Sequence, residues 1–286
     1  MILEGKTLAK QIRAPLQERA DVVRKKLGRP ICLCALGSSE DYAARLYLQK
    51  EVEAAQKIGI ETHVFDLDGQ TSPVGFCKAV KELAKYAQTD AVLIPRPLPP
   101  HLAQSDFADY LNPRQDIDGM SIANAGRMFL CKTWQEIENL PGFVPCTAMA
   151  VMRLLDFHHI DLQSKEVVVI GRSSTVGRPL AHLLSCKNAT VKLCHSYTDL
   201  PRAVQSADII CSAAGTPGLL KTEWLKKGST VIDISTNWNN NTLCGDANAQ
   251  ELEAAGLSYS PVPGGVGPVT LAVLLENIIL SGERKI

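Results

Sequence analysis

The sequence predicts an α/β protein with parallel sheets, built as two domains. Short β-branched or apolar runs alternate with helical patterns along the chain, and one of these runs is followed at once by a glycine turn. A length of 286 residues allows one large or two ordinary domains. Because strands that alternate with helices are normally parallel and joined by right-handed crossovers, both halves are expected to contain βαβ units.

The first half of the chain shows this alternation clearly. Apolar residues at helical spacing predict one amphipathic helix over residues 3–27. Gly59 is the expected C-cap of a later helix. The further elements expected here are strands at 31–36, 61–67 and 91–94 and helices at 41–58 and 73–85.

Two loops of the first half attract attention. Residues 95–100 contain four prolines, which forbid a helix or a central strand and predict a rigid loop at the carboxyl end of a strand, where α/β sheets place their sites. The segment 112–119 contains Asp116 and Asp118 before Gly119. It is either an Asx turn without chemical role or a turn that aims a carboxylate at a ligand.

The second half begins with a predicted crossing between domains at 141–147. Thr147 is the expected N-cap of a helix over 148–155. A segment with three glycines and three prolines, 261–270, precedes a final apolar helix over 271–280, which Pro268 or Thr270 is expected to start. The predicted strands of this half are 167–170, 190–194, 209–212, 231–234 and 257–260.

Composition narrows the classes of function. A formal net charge of +0 removes the usual electrostatic case for a nucleic-acid partner. No apolar run reaches the roughly 18 residues of a membrane span, and no secretory signal is visible. The nine cysteines are scattered without a Cys-x-x-Cys pair, and the six histidines show no metal-ligand spacing. We therefore expect a reduced, cytoplasmic protein without a membrane partner, disulfides or a metal site.

The segment Val167–Pro179 predicts a nucleotide-binding turn. Val167–Ile170 is too short for a helix and suits a buried parallel strand, Gly171 allows a sharp turn, and Gly177 allows a helix to pack closely on the strand. This arrangement presents backbone N–H groups to a phosphate. Because Ser173 replaces the middle glycine of the usual dinucleotide fingerprint, an ordinary β–α turn is the alternative.

The strand that follows the turn favours NADP over NAD. An acid normally ends this strand in NAD-binding proteins, but Thr190–Cys194 is followed by neutral residues, and Asp199 lies too far along. Arg172 in the turn suits a 2′-phosphate. The alternative is that neither residue binds a phosphate: Arg172 is then an exposed charge on a loop, and Ser196 is a hydroxyl in a turn.

Seven motifs together resemble one known family. They are Leu3–Lys6, Tyr47, Pro97–Pro99, Asp116–Gly119, Pro145–Thr147, Gly171–Ser173 with Val176–Pro179, and Pro263–Pro268. Through them the chain resembles the bifunctional methylenetetrahydrofolate dehydrogenase/cyclohydrolase family over nearly its whole length.

The resemblance implies a reaction and a domain plan. In the family, hydride passes from methylenetetrahydrofolate to NADP, and water then opens the methenyl product to formyltetrahydrofolate. A folate-binding α/β domain would comprise residues 1–145 plus 271–286, and a Rossmann-type NADP domain residues 146–270. The first domain and the final helix would flank the folate cleft, and the chain is expected to form a homodimer through its nucleotide-binding half.

The resemblance also implies the site residues. Arg172 and Ser196 would hold the 2′-phosphate. The expected cofactor-binding residues are Gly171, Arg172, Ser173, Thr175, Val176, Gly177, Ser196 and Thr236. The expected substrate-binding residues are Tyr47, Arg96, Asp118, Pro263, Gly264 and Gly265. The candidate catalytic residues are Tyr47, Lys50, Glu51 and Asp118.

The first domain departs from the family pattern at its reactive positions. The family lysine lies four residues after the tyrosine and eight before the glycine that ends the helix, and counting from Tyr47 and Gly59 places Glu51 there. Lys50 is one position away, a rotation of about 100° on a helix. The other departures are Ala44 for a serine, Pro95 for a glutamine, Arg96 for a leucine and Ala148 for a proline.

These departures predict an NADP-dependent methylenetetrahydrofolate dehydrogenase whose cyclohydrolase activity is altered or lost. A carboxylate at Glu51 could stabilise the cationic product, and Arg96 could pair with Glu51 and so restore a cation. One alternative is a fully bifunctional enzyme in which a helix shift returns Lys50 to the site. Others are a paralogue with a different substrate or a non-catalytic NADP-binding role, and a shikimate-dehydrogenase-like reductase, which the loop at 261–268 disfavours.

Overall fold

A computed structural model describes residues 1–38, 42–86, 88–239 and 242–286 of the chain. The chain divides into two compact units. The three-stranded unit contains residues 12–126, 141–144 and 274–286, and the five-stranded unit contains residues 1–11, 127–140 and 145–273. Both contain parallel sheets and helices, which confirms the predicted α/β class.

The amphipathic segment near the start forms two helices rather than the single helix predicted over 3–27. α1 is Lys6–Arg13 and α2 is Leu16–Leu27. Pro15 lies between them and has no N–H to continue the hydrogen-bond ladder, which is why the helix is interrupted there. Gly28, at φ 72°, ends α2 in the left-handed conformation that glycine tolerates.

The three-stranded unit is built on a parallel sheet in the order β2-β1-β3. Its strands are β1 (Cys32–Ser38), β2 (Glu61–Leu67) and β3 (Ala91–Leu93), close to the predicted positions. The connecting helices are α3 (Tyr42–Lys57) and α4 (Pro73–Lys85). Ser72 caps α4, since its hydroxyl accepts the Gly75 N–H at 3.1 Å. The loop over 95–100 leaves β3 as predicted.

A buried apolar cluster holds this unit together. Phe76 and Val80 of α4 and Cys34 of β1 are fully buried and pack with Phe107 and Leu102 from the segment after β3. Burial of side chains of this size stabilises by about 1.5–3 kcal/mol each. The segment after β3 is therefore fixed against the sheet, and so is the loop that precedes it.

Two helices that follow β3 in the chain and precede β4 were not predicted, and a third begins earlier than predicted. α5 (Ile122–Leu130) and α6 (Trp134–Glu138) follow the acidic turn. α7 (Cys146–Phe157) begins two residues before the predicted start. Thr147 lies inside α7, and the N-cap residue is Pro145 without a side-chain cap bond, so the predicted N-cap at Thr147 is wrong.

The five-stranded unit is built on a parallel sheet in the order β10-β7-β6-β4-β5. Its strands lie within a residue or two of the predicted ones: β4 (Glu166–Ile170), β5 (Thr190–Cys194), β6 (Ile209–Ser212), β7 (Thr230–Asp233) and β10 (Ser258–Tyr259). Helices α8 (Gly177–Cys186), α9 (Leu200–Val204) and α10 (Ala249–Ala254) lie between strands. A hairpin of β8 (Asn237–Asn239) and β9 (Thr242–Cys244) was not predicted.

The last helix starts earlier than predicted. α11 runs over Val266–Glu283, so Pro268 lies in its first turn, where a missing N–H costs nothing. It is the one described helix long and apolar enough to cross a membrane by length and composition, and 56% of that window is buried inside the protein, as in an ordinary core helix.

Candidate active site

Helix α3 buries the acid at position 51 and exposes the lysine beside it. Glu51 is 8% exposed, whereas Lys50 is exposed and Tyr47 is 42% exposed. Neighbouring residues on an α-helix point about 100° apart, so the two charged side chains cannot enter the same pocket. The structure therefore places a carboxyl, and not an ammonium, on the buried side of α3.

Burial changes the protonation of this acid. Removal from water, together with the negative charge of Asp118, raises the pKa of Glu51 to about 8. Within residues 1–38, 42–86, 88–239 and 242–286, no hydrogen bond or ion pair to the Glu51 carboxyl is found. The side chain is therefore largely protonated, and so uncharged, near neutral pH.

Arg96 supplies a cation from the rigid loop after β3. Its Cζ lies 5.0 Å from the centre of the Phe107 ring, a distance at which a guanidinium is attracted to an aromatic face. Burial lowers the pKa of Arg96, and the charge of Asp118 opposes that shift. Its Nε is buried without a hydrogen-bond partner. The guanidinium thus retains a donor that a ligand could satisfy.

Asp118 is the charge to which both Glu51 and Arg96 respond. The sequence left open whether Arg96 pairs with Glu51. In the described part of the chain no ion pair joins them, and the electrostatic partner of Arg96 is Asp118. The three side chains come from α3, from the loop after β3 and from the turn before α5, and the charge of Asp118 acts on the other two.

The two acids of the 116–119 turn have different roles. Asp116 is 2% exposed and accepts hydrogen bonds from the N–H groups of Met120 (2.9 Å) and Ser121 (2.7 Å) and from the Asn124 amide (2.8 Å). It holds the start of α5, which is the structural role the sequence offered as one alternative. Asp118 is half-buried beside Gly119, whose φ of 62° makes the turn.

A second group of candidate residues lies in the five-stranded unit, at the turn from β4 to α8. Gly171 has φ 110°, and a Cβ there would collide with the Ala213 carbonyl. A Cβ at Gly177 would collide with the carbonyl oxygen of Gly171. Both glycines are thus required by close backbone contact, as the sequence predicted, and the N-terminus of α8 is held directly against the end of β4.

Ser173 organises the same turn. Its hydroxyl accepts the N–H groups of Val176 at 3.1 Å and Gly177 at 3.4 Å, and Thr175 donates to it at 3.4 Å. A serine in the middle glycine position therefore fixes the turn with its side chain. The N–H groups of Val176 and Gly177, at the start of α8, therefore lie close together in this turn.

The sheet register brings the predicted 2′-phosphate residues to one edge. Ile170 of β4 is paired with Cys194 of β5, and Arg172 and Ser196 each lie two residues beyond that pair. Both side chains are exposed, as is Thr236 after β7. Asp199 is the N-cap of α9, where it accepts the Arg202 N–H at 3.4 Å, so no acid ends β5.

The glycine-proline loop is attached to the start of the chain. Gly5 donates its N–H to the Gly264 carbonyl at 2.8 Å, and a Cβ on Gly5 would collide with the carbonyl oxygen of Gly265. Gly264 has φ 112°, and Gly265 donates to the carbonyl of Pro261 at 2.7 Å. The residue before Gly5 is also held, because the His158 ring lies 2.9 Å from the Glu4 carbonyl oxygen.

Sequence reasoning missed an acid that positions the loops beside the turn from β4 to α8. Asp246 is fully buried and accepts the Ser212 and Ser235 hydroxyls, both at 2.7 Å, and the N–H groups of Ala214 and Thr216, both at 2.8 Å. It fixes the loop after β6, whose Ala213 carbonyl contacts the Gly171 turn. Asp246 directly after Gly245 was the available signal. Among the described residues no cluster of His, Cys, Asp and Glu suits a metal ion.

Two family profiles match most of the chain. The catalytic domain of tetrahydrofolate dehydrogenase/cyclohydrolase matches residues 3–118, and the NAD(P)-binding domain of the same family matches residues 145–286. These two segments contain the two groups of residues described above.

Relatives and solved structures agree with the profiles. The "Bifunctional protein FolD" of Elusimicrobium minutum is 50% identical over 288 residues, which cover all of both chains. The bifunctional FolD enzyme of Campylobacter jejuni is 31% identical, with a TM-score of 0.90 over 100% of this chain and 99% of the other. The Trypanosoma brucei FolD, complexed with NADP cofactor and inhibitor, is 31% identical, with a TM-score of 0.89 over 100% and 98%.

A more distant likeness bears on the reductase alternative. A shikimate 5-dehydrogenase from Thermus thermophilus has a TM-score of 0.54 and 15% identity, covering 90% of this chain and 100% of that one. At that identity the likeness concerns the fold alone.

Proposed function

The chain belongs to the tetrahydrofolate dehydrogenase/cyclohydrolase family, and on this premise we propose that it oxidises methylenetetrahydrofolate to methenyltetrahydrofolate with NADP while its cyclohydrolase step is altered or lost. The dehydrogenase part follows from the family and from the complete cofactor turn. The observation that carries the second part is the buried Glu51 beside an exposed Lys50.

The residues of the five-stranded unit fit a dinucleotide phosphate. The close approach of Gly177 to Gly171 leaves a backbone cradle that any side chain would fill. We propose that the N–H groups from Gly171 to Gly177 hold the diphosphate and that Arg172 and Ser196 hold the 2′-phosphate. Thr236 is the remaining residue that we propose to bind NADP. When bound, NADP supplies the acceptor for the hydride.

The residues of the three-stranded unit fit a pterin that becomes positively charged. The Asp118 carboxylate is suited to accept N–H bonds from the pterin ring, and Tyr47 lies one helical turn before Glu51 on α3. The same carboxylate opposes the positive charge of the methenyl cation, while Glu51 stays uncharged near neutral pH. Pro263, Gly264 and Gly265 are further proposed substrate-binding residues, as the family resemblance implies.

The same residues provide no base for the hydrolytic step near neutral pH. Water that adds to the methenyl carbon must lose a proton. Glu51 already holds one, because its pKa is raised to about 8, and a guanidinium does not act as a base in this pH range. We therefore expect methenyltetrahydrofolate to leave the enzyme without catalysed ring opening.

The test is a mixture of purified protein, methylenetetrahydrofolate and NADP, with reduced cofactor, methenyl product and formyl product each followed separately. We expect reduced cofactor and methenyl product to appear together, and formyl product to form only at the spontaneous rate. Absence of both reduced cofactor and methenyl product would exclude the dehydrogenase. Formyl product that forms as fast as methenyl product is made would exclude the role given to Glu51.

Three variants separate the possible bases. Glu51→Lys restores an ammonium at this position and is expected to raise formyl production at least tenfold above the native rate, about 1.4 kcal/mol of barrier. Lys50→Ala tests the fully bifunctional alternative, which requires that this variant lose formyl production. Lys57→Ala removes an exposed lysine from the last turn of α3 and serves as the control.

We also propose the domain plan and setting expected from the family. Residues 1–145 plus 271–286 would bind folate and residues 146–270 would bind NADP, in a cytoplasmic homodimer. Sedimentation of the purified protein tests the dimer, and an NADP titration of the isolated 146–270 segment tests the domain limits.

A further inference from the structure

A buried acid at the carboxyl edge of the five-stranded sheet has no part in the proposed reaction. Asp246 lies two residues after the end of β9 and is fully buried. Two loops supply the described donors to its carboxyl. They are the Ser212 hydroxyl (2.7 Å), the N–H groups of Ala214 and Thr216 (both 2.8 Å), the Ser235 hydroxyl (2.7 Å) and the Asn237 amide (3.3 Å).

These two loops carry or support residues that we propose to bind NADP. The loop after β6 contains Ala213, whose carbonyl a Cβ on Gly171 would meet, so this loop lies directly against the turn from β4 to α8. In the loop after β7, Ser235 directly precedes Thr236. The Ser235 hydroxyl also accepts the Gly215 N–H at 3.0 Å, so the two loops contact each other beside Asp246.

The backbone around Asp246 is itself fixed. The N–H groups of Asp246 and Ala247 donate to the Asp233 carboxyl at the end of β7, at 3.1 and 2.8 Å. The Asp246 carbonyl accepts the Leu220 N–H at 3.1 Å. A Cβ on Gly245 would collide with the Asp233 carboxyl, so the turn into Asp246 is tight. The Asp246 side chain is therefore a fixed point to which both loops are attached.

An amide cannot replace this carboxyl. The Ala214 N–H donates to Oδ2 and the Thr216 N–H donates to Oδ1, so each oxygen accepts one backbone donor. An asparagine has one acceptor oxygen and one NH₂ group, and a backbone N–H cannot turn round as a hydroxyl can. In either orientation of the amide, one backbone N–H would face another donor in a buried place, which is costly. The loop after β6 must then move.

We infer that Asp246 is a positioning residue for NADP: its carboxyl holds the loops after β6 and β7 so that the Gly171 turn and Thr236 bind the cofactor together. Asp246 is fully buried and acts through these loops. The inference rests on the proposed function for the identity of the cofactor.

The first test compares Asp246→Asn with Asp208→Asn. We expect Asp246→Asn to raise the dissociation constant of NADP at least about tenfold, because a hydrogen bond to a charged group is lost. The KM for methylenetetrahydrofolate and kcat at saturating NADP should stay near the native values. Asp208 also accepts a backbone N–H, that of Glu166 at 2.9 Å, but at the amino end of the sheet. Asp208→Asn makes the same chemical change there and should leave NADP affinity unchanged.

A milder pair of variants covers the case in which Asp246→Asn does not fold. Ser235→Ala removes the hydroxyl that joins Asp246 to the loop before Thr236, and we expect NADP affinity to fall about threefold or more. Ser229 is fully buried just before β7, and among the described residues its hydroxyl has no hydrogen-bond partner. Ser229→Ala is therefore the matched control and should bind NADP as the native protein does. Calorimetric titration measures all four variants.

The outcomes separate this inference from the proposed function. If Asp246→Asn folds, native NADP affinity in this variant overturns the inference; if it does not fold, native affinity in Ser235→Ala overturns it. Equal weakening by Asp246→Asn and Asp208→Asn also overturns it, because lower stability would then explain the loss. In these cases the native protein still binds NADP and the proposed function stands. A native protein that does not bind NADP refutes the proposed function, and this inference with it.

Discussion

At the scale of single residues, Glu51 is expected to make stability depend on pH. Its pKa is about 8 in the folded protein against an ordinary 4.5, so the folded state binds more protons between these values. Its contribution is therefore favourable below about pH 4.5 and is lost as pH rises toward about 8. Each unit of pKa difference corresponds to about 1.4 kcal/mol.

Glu51→Gln should remove this dependence. Relative to the native protein, the variant is expected to gain up to a few kcal/mol of unfolding free energy between about pH 5 and about pH 8, with no further gain above. Urea unfolding at a series of pH values measures the difference. Glu53→Gln alters an exposed acid on the same helix, and its plot of unfolding free energy against pH should be parallel to that of the native protein. A parallel plot for Glu51→Gln would contradict the buried, protonated state.

The sequence shows that Glu51 occupies the position of the family lysine, but it does not show what surrounds that side chain. Counting from Tyr47 and Gly59 placed Glu51 at the family lysine position, and the structure buries that side chain. Residues 51, 96 and 118 are far apart in the sequence, so local spacing does not show that the charge of Asp118 acts on both Glu51 and Arg96.

At the scale of elements, the turn from β4 to α8 is expected to tolerate no side chain at Gly177. Because a Cβ there would meet the Gly171 carbonyl, Gly177→Ala must push α8 away from the strand. We expect at least a tenfold loss of NADP affinity and a destabilisation of about 1–3 kcal/mol, the usual cost of overpacking. Calorimetric titration with NADP and thermal unfolding measure the two effects.

A matched substitution shows whether replacing any glycine of a helix by alanine lowers NADP affinity and stability. Gly126 lies within α5, has no atom within 4 Å of its added Cβ, and is exposed. Gly126→Ala should stabilise the protein by up to about 1 kcal/mol and leave NADP affinity unchanged. Equal behaviour of the two variants would show that the contact with Gly171 is unimportant.

The elements that were predicted well are those whose own residues decide their conformation. The β-branched run of β4 and Pro73 at the start of α4 are local signals, and both elements lie where expected. The single helix over 3–27 failed because Pro15 interrupts it. α11 begins inside the glycine-proline segment because the loop at Gly264 and Gly265 is fixed by Gly5, a contact between distant residues.

At the scale of the whole molecule, one buried carboxylate joins distant parts of the three-stranded unit. Asp90 is fully buried and accepts hydrogen bonds from Arg29 (2.6 and 3.0 Å), from Lys285 (2.6 Å) and from the N–H of Cys32 (2.8 Å). Burial raises the pKa of Asp90, but the bonds from Arg29 and Lys285 outweigh it and hold the pKa below its ordinary value.

Asp90→Asn should therefore be strongly destabilising. Removal of one partner of a buried pair leaves cations without compensation and typically costs about 3–5 kcal/mol. Because the folded pKa is lowered, the loss should be full at neutral pH and should shrink as pH falls below the ordinary aspartate value. Urea unfolding at neutral and acid pH measures it.

A surface pair provides the comparison. Asp21 and Arg24 form an ion pair at 3.2 Å with side chains about half exposed. Asp21→Asn is expected to cost less than about 1 kcal/mol. If both substitutions cost the same, burial does not explain the importance of Asp90.

The discontinuity of the three-stranded unit has a consequence for biosynthesis. Residues 12–126 leave the ribosome first, whereas Glu283, which pairs with Arg19 at 2.8 Å, and Lys285, which pairs with Asp90, belong to the segment 274–286. Residues 127–273 are translated in between, which at about 5–20 residues per second takes on the order of ten seconds. During that interval the nascent chain carries Asp90 without one of its two cations, so the ion pairs of this unit are completed only after the last helix has emerged.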